Sequence, residues 1–394
     1  MVRFLITVVS CFLLSVPAMA SKARLLSLGQ DPDGSPYLED TRGIFLNPAQ
    51  LNNVGDMINL EIGSSTITPY AGNSSSTPTA EGGAFRNFGA VKAGIQLGRS
   101  TDTEGLVNIL NTQLSPTGGG NTEVLPYPQN TIEAIVAGNA GGFKWGAGLL
   151  YGMMQNNAET VPPTASAFNN YKASTVELQG GIEVGAQHAW AHIDLAGHAE
   201  AQTAQGITQN FDLSPGLTAG WMMDLPQAQK VFVTGGYEGF TGRTGTANAT
   251  DRNGSLKGIS AGWVQFLNPD DATRVFYSGG LSYANFDIDS DLNSQGSESE
   301  RKVERFFVPV TLGLETKLTD WFTLRGSVRQ NILIDQYKTT VTNRNSPNST
   351  TVAAGAGFHW KKLFADATLR GADLGTGQFD GSNLFGNMSF TYLF

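Results

Sequence analysis

The chain has 394 residues, with 34 Asp and Glu against 25 Lys and Arg, a net charge of −9. That balance is wrong for binding nucleic acid through its phosphates, so no nucleic-acid partner is expected. The lone cysteine, Cys11, excludes a disulfide framework and a Cys-based metal site. The 48 glycines and a charged fraction of only 15% favour sheet over helix.

Residues 1–20 read as a secretory signal: Arg3, an apolar run from Phe4 to Val16, and the small-x-small site Ala18-Met19-Ala20. The run is too short to cross a bilayer as a helix, and nothing after it comes closer, so any membrane crossing must be made by strands. The expected division is 1–20 signal peptide, 21–56 a periplasmic or plug-like N-terminal segment, and 57–394 a transmembrane barrel.

Within the second of these, Asp40-Thr41-Arg42-Gly43-Ile44-Phe45-Leu46-Asn47-Pro48-Ala49-Gln50-Leu51 has helix-like apolar spacing around an Asn-Pro-Ala break. It resembles the N-terminal segment of the long-chain fatty-acid transporter-like (FadL-type) family of outer-membrane barrels. In that family an Asn-Pro-Ala motif precedes the first strand, and the segment before it folds into the pore as a plug. The resemblance makes Phe45, Asn47 and Pro48 plug candidates. The competing reading is a turn that opens the first strand.

From Met57 onward, segments of about ten residues alternate apolar and polar positions. In the hairpin Val303–Asp335, Phe306, Val308, Val310, Leu312 and Leu314 form one face and Arg305, Phe307, Thr311, Glu315 and Lys317 the other. Short connections, at Asn139–Gly142, around His188–Ala189, Asp224–Gln229, Asn268–Arg274, Leu318–Trp321 and Lys361–Lys362, alternate with long polar ones. That pattern predicts an all-β fold: a transmembrane antiparallel up-and-down barrel with short periplasmic turns and long outer loops. Counting back from the last strand gives fourteen strands, or sixteen if Met57–Ser64 and a short segment near Ala80–Arg86 are included. Between Thr101 and Asn130, Leu106, Val107, Ile109, Leu110 and Leu114 predict a short amphipathic helix. Packing on a loop is the preferred role for it, and constriction of the lumen the alternative.

At the end of the chain, Gly386, Met388, Phe390, Tyr392 and Phe394 alternate with Asn387, Ser389 and Thr391. This resembles the closing strand of Gram-negative outer-membrane barrels. The resemblance implies that Phe390, Tyr392 and Phe394 are read by the barrel-insertion machinery, and that outer-membrane lipid and lipopolysaccharide surround the protein.

His192 and His198 are predicted to share the lumen face of one strand with Asp194 and Glu200. Six residues at ~3.3 Å each hold the two histidines about 20 Å apart, too far for one metal or one triad. The pair His192 and Asp194 reads as lumen polarity rather than a catalytic dyad, so no catalytic residue, enzyme activity or cofactor is expected. Glu177 and Glu183 join this acidic wall, while Glu315, Arg325, Arg329, Asp366 and Arg370 are predicted to face inward elsewhere. Such walls either set a transverse field across a water-filled lumen or neutralise one another across a blocked one. Asp287, Asp289, Asp291 and Glu298 fall at calcium-loop spacing, but Leu292 replaces the glycine such a loop needs, and a merely solvated acidic loop competes. The function expected is passive, porin-like passage of small solutes. The alternatives are a plugged transporter of hydrophobic molecules such as long-chain fatty acids, or a non-conducting surface or envelope scaffold.

Overall fold

In a computed structural model, described for residues 21–64, 78–113, 125–157, 168–203, 208–243, 252–288, 301–339, 349–373 and 384–394, the strands close into one barrel. The first eight are β1 Met57–Ser64, β2 Pro78–Asn87, β3 Val91–Leu97, β4 Asn130–Ala140, β5 Phe143–Asn157, β6 Phe168–Val184, β7 Gln187–Thr203 and β8 Thr208–Leu225. The rest are β9 Gln229–Arg243, β10 Arg252–Leu267, β11 Thr273–Ile288, β12 Arg301–Thr319, β13 Phe322–Thr339, β14 Ser349–Trp360, β15 Leu363–Asp373 and β16 Leu384–Leu393. Each strand pairs antiparallel with the next, and β1 closes on β16 with Met57 opposite Leu393 and Ile62 opposite Met388. Closure leaves no edge unpaired, which is what hydrocarbon demands of a sheet. The higher of the two strand counts is therefore the right one.

Alternation decides what faces where. On β1, Ile58, Leu60 and Ile62 are about half exposed, whereas Asn59 and Glu61 between them are buried. On β12, Leu312 is 54% exposed and Thr311 only 4%. A soluble protein rarely leaves so continuous an apolar surface in water; around a closed ring it is a lipid-facing band. Trp321, Phe322 and Phe358 cluster at the short-turn end, with Phe322 and Phe358 ring centroids 5.1 Å apart and Trp360 exposed nearby. They form part of an aromatic girdle. Among the described residues no helix is long and apolar enough to cross a membrane. The hairpin joining β6 to β7 turns at residues 185–186, slightly earlier than the sequence predicts, so His188 belongs to β7.

Inside the barrel lie α1, Lys22–Ser27, α2, Gly43–Leu46, and a 3-10 turn, Pro48–Asn53. Ser21 starts α1 by accepting from Arg24 N, and the Asn47 carboxamide starts the 3-10 turn by accepting from Ala49 N, with Pro48 at the first position where no donor is needed. The insert after β3 carries α3, Asp102–Gln113. Its start does not rest on a loop, the role preferred from sequence, but lies in the lumen. Thr103 bonds Thr175 of β6 at 2.9 Å, and Leu106 and Val107 are buried against inward side chains of β7 and β8. The wall offers small residues there, Ala199 and Ala201, so a helix fits inside rather than above.

Candidate functional site in the lumen

The lumen is built in layers. Nearest the short turns, the segment 21–56 fills the barrel and is held by charge. Arg24 Nη2 and Nε donate to Glu315 of β12 at 2.7 and 2.9 Å, and Ser21 donates to Asp366 of β15 at 2.7 Å. Arg42 Nη1 lies 2.5 Å from Glu61 of β1 and 3.0 Å from Glu81 of β2, while Nη2 reaches Asp33 at 2.9 Å. Lys22 Nζ completes this group on Glu81. All are deeply buried except Asp33 and part of Glu315. Charges taken this far from water are tolerated only when paired and hydrogen-bonded. Apolar contacts reinforce them: Ile44, Phe45, Leu51 and Val54 pack on Met57, Phe85, Ile135 and Ala137, and Leu25, Leu28, Tyr37 and Leu38 on Val264 and Phe276.

The Asn-Pro-Ala break docks on the opposite wall. A Cβ at Gly146 would collide with the Pro48 backbone, and one at Gly181 with the Asn47 carboxamide, so bare backbone at both positions lets the segment approach β5 and β6. Asn52 adds hydrogen bonds to the Gly138 and Trp145 carbonyls at 3.2 and 3.3 Å. His192 Nε2 lies 2.9 Å from the Leu46 carbonyl, so this histidine serves the segment rather than a dyad with Asp194.

The other predicted lumen residues divide into three groups. Arg325 joins Glu315 at 2.8 Å and Asp366 at 2.5 Å, Arg329 donates to the Gly29 carbonyl at 3.4 Å, and Arg370 feels Asp31 of the inner segment electrostatically. Glu183 pairs with Lys144 and His188, both at 3.2 Å, and Glu177 lies 3.8 Å from Arg99. The predicted basic side is thus engaged mostly by partners, which favours neutralisation over an open transverse field. His198 and Glu200 are the correction. A β-bulge at Leu195, where Val176 pairs with Ala196 but Glu177 with Asp194, shifts the strand's parity. Beyond it Ala199 and Ala201 turn inward; His198 and Glu200 face out, bonded to Asp212 at 2.7 Å and Lys172 at 2.8 Å. Of the calcium-spaced loop only Asp287 is among the described residues; Asp289, Asp291 and Glu298 lie outside them.

Sequence reasoning missed Lys22, Arg24, Arg42, Glu61, Glu81 and Arg99, although Glu61 on the polar side of a well-alternating β1 was a usable signal. It also missed an apolar layer in the long-loop half. Phe211, Phe240 and Phe286 point inward from β8, β9 and β11, with successive ring centroids 5.8 and 6.1 Å apart, and Leu106 and Val107 of α3 close over them. Between this layer and the inner segment lies a cavity of about 470 Å³, bordered by Tyr37, Phe45, Arg99, Glu177, Trp190 and Thr234 among others. A second cavity of about 290 Å³ lies toward the short turns, and Pro36 and Tyr37 border both. Tyr37 is fixed across the divide by a 3.3 Å hydrogen bond with Ser278.

A closed sixteen-strand antiparallel barrel with a lipid-facing apolar band and an internal plug-like segment defines an outer-membrane-type β-barrel. No family model and no curated protein matches the sequence. Solved structures similar in fold include a bacterial polysaccharide outer membrane secretin, 12% identical over 87% of this chain and 99% of that one, with a TM-score of 0.50. A Pseudomonas aeruginosa FadL homologue, 13% identical over 96% and 99%, scores 0.46. The Pseudomonas putida toluene transporter TodX, 10% identical over 95% and 98%, scores 0.40.

Proposed function

We propose that this protein is a plugged channel of the outer membrane through which small apolar or amphipathic molecules move down their gradient. The route runs from the Phe211–Phe240–Phe286 layer into the central cavity and past Tyr37 to the lower one. The observation that carries this reading is the layering: inward aromatics above, a cavity in the middle, and a charge-pinned segment below. A polar lumen would wet the long-loop half; an apolar one binds a hydrocarbon chain by removing it from water, at ~0.8 kcal/mol per buried CH₂. In this reading the long loops are extracellular, and Phe390, Tyr392 and Phe394 stand toward lipid, where the barrel-insertion machinery and lipopolysaccharide would meet them.

A second reading, passage of small polar solutes, draws on the Thr218, Thr234, Ser260, Ser278 and Thr311 side chains around the central cavity. Purified protein in planar bilayers and proteoliposomes, with and without residues 21–55, separates the two. The plugged transporter gives little ion conductance until the segment is removed, yet takes up a fluorescent fatty acid or toluene when intact. Conductance and sugar-driven swelling of the intact protein would overturn it in favour of the polar pore. Neither activity in either form would leave a scaffold.

A further inference from the structure

Where the start of α3 meets the wall, three carboxylates converge. One oxygen each from Asp102 of α3, Asp194 of β7 and Glu238 of β9 all lie within 4.8 Å of one another. A fourth carboxylate adjoins them, since Glu177 accepts from Asp102 N at 3.2 Å. Asp194 is 1% exposed, yet neither of its carboxylate oxygens receives a hydrogen bond from another residue. A buried carboxylate ordinarily finds a donor, because a bare one has given up its hydration with nothing in return. The cation at hand is Arg99, and it is already committed: its Nε lies 2.6 Å from Glu133 and its Nη2 3.8 Å from Glu177.

The wall is shaped to let these groups meet. Asp194 and Glu238 sit on strands separated by β8, which carries Gly216 between them. A Cβ at Gly216 would fall 2.9 Å from Asp194 Oδ2 and 3.0 Å from Glu238 Cγ, so any side chain there would fill the gap. The pairing is irregular on both sides of this glycine, at Leu195 between β6 and β7 and at Ser214–Leu217 between β8 and β9. Bulges re-aim side chains, and here two of them surround one acidic cluster.

We propose that Asp102, Asp194 and Glu238 bind a divalent cation of the calcium class, with Glu177 beside them, and that the ion staples α3 to the lumen wall. All-oxygen, all-carboxylate donors select a hard cation. Oxygens up to 4.8 Å apart suit calcium, whose ligands sit at ~2.3–2.6 Å, better than the tighter magnesium shell at ~2.0–2.1 Å. Asp102, Glu177 and Glu238 border the central cavity, which gives the ion its way in and water to complete its shell. The site does not depend on what the channel carries.

The test uses the full chain in detergent, stripped with EDTA. Terbium is the probe, because Trp190 lies on the same strand four residues from Asp194 and borders the same cavity, so its excitation can sensitise a bound lanthanide. The expected result is one terbium per chain, displaced by calcium in preference to magnesium, with affinity falling at least tenfold in Asp194→Asn and in Glu238→Gln. Folding of each variant is checked by heat-modifiable migration in gels. Calcium should also slow amide exchange across residues 102–107 in the wild type and not in the variants. Three results would overturn the proposal: no sensitised binding, binding unchanged in both variants, or binding lost in Asp289→Asn/Asp291→Asn but retained in Asp194→Asn, which would place the ion in the outer loop.

Discussion

Arg42 is the residue whose loss should open the barrel. Its guanidinium is 1% exposed and holds Glu61 at 2.5 Å, Glu81 at 3.0 Å and Asp33 at 2.9 Å, besides donating to the Pro32 carbonyl. In Arg42→Met the methionine keeps the apolar stem but leaves two buried carboxylates facing Lys22 alone. Removing one partner from a buried ion pair costs ~3–5 kcal/mol, chiefly because the other charge stays buried and bare. The barrel keeps its strand ladder, so the cost falls on docking of the inner segment. At about 1.4 kcal/mol per decade, the docked-to-undocked ratio drops by roughly two to three and a half orders of magnitude. The assays are single-channel conductance and trypsin cleavage at Lys22 and Arg24, which the docked segment buries. Arg42→Met should conduct and be cut. Adding Glu61→Gln removes the stranded charge while leaving the Lys22–Glu81 pair intact, and should restore much of the protection. Wild-type closure in Arg42→Met, or a double variant as open as the single one, would refute the reasoning.

Three further outcomes are expected. The Asp40 carboxyl is pushed up to about 7 by burial, against the opposing pull of Arg24, Arg42 and the backbone donors of Arg42 and Gly43. With its folded pKa above its free value, Asp40's contribution to docking is full below about pH 4 and is lost as pH rises to about 7; Asp40→Asn should flatten that slope in a protease-protection titration run between about pH 5 and 8, where the paired carboxylates stay ionised. Gly181→Val drives a side chain into Asn47 and should raise conductance without altering heat-modifiable migration of the barrel. Phe240→Asp places a charge in the apolar layer and should cut uptake of a fluorescent fatty acid at least tenfold while ion conductance is unchanged; normal uptake would count against the apolar route.

The barrel was legible because a strand's two faces are written in one residue's alternation with the next. Ile58-Asn59-Leu60-Glu61-Ile62 needs no knowledge of its neighbours to say which side meets lipid. The same arithmetic misplaced His198 and Glu200, since a bulge is one extra residue and period two carries no mark of it. The start of α3 was misplaced for another reason: an amphipathic helix is equally content on a loop or in a lumen, and the alanines that admit it lie almost a hundred residues away.

What the sequence determined by itself was the barrel class, the two faces of each regularly alternating strand and a strand count of fourteen or sixteen. Those are local properties, set by solvent and by neighbours along the chain. Only the tertiary structure decided which inward charges find partners. Arg24 meets Glu315 and Ser21 meets Asp366 across some three hundred residues, and no spacing rule links positions that closure alone brings together. It also decided that Asp102, Asp194 and Glu238, on one helix and two strands, converge at one place in the lumen, with Asp194 buried among them.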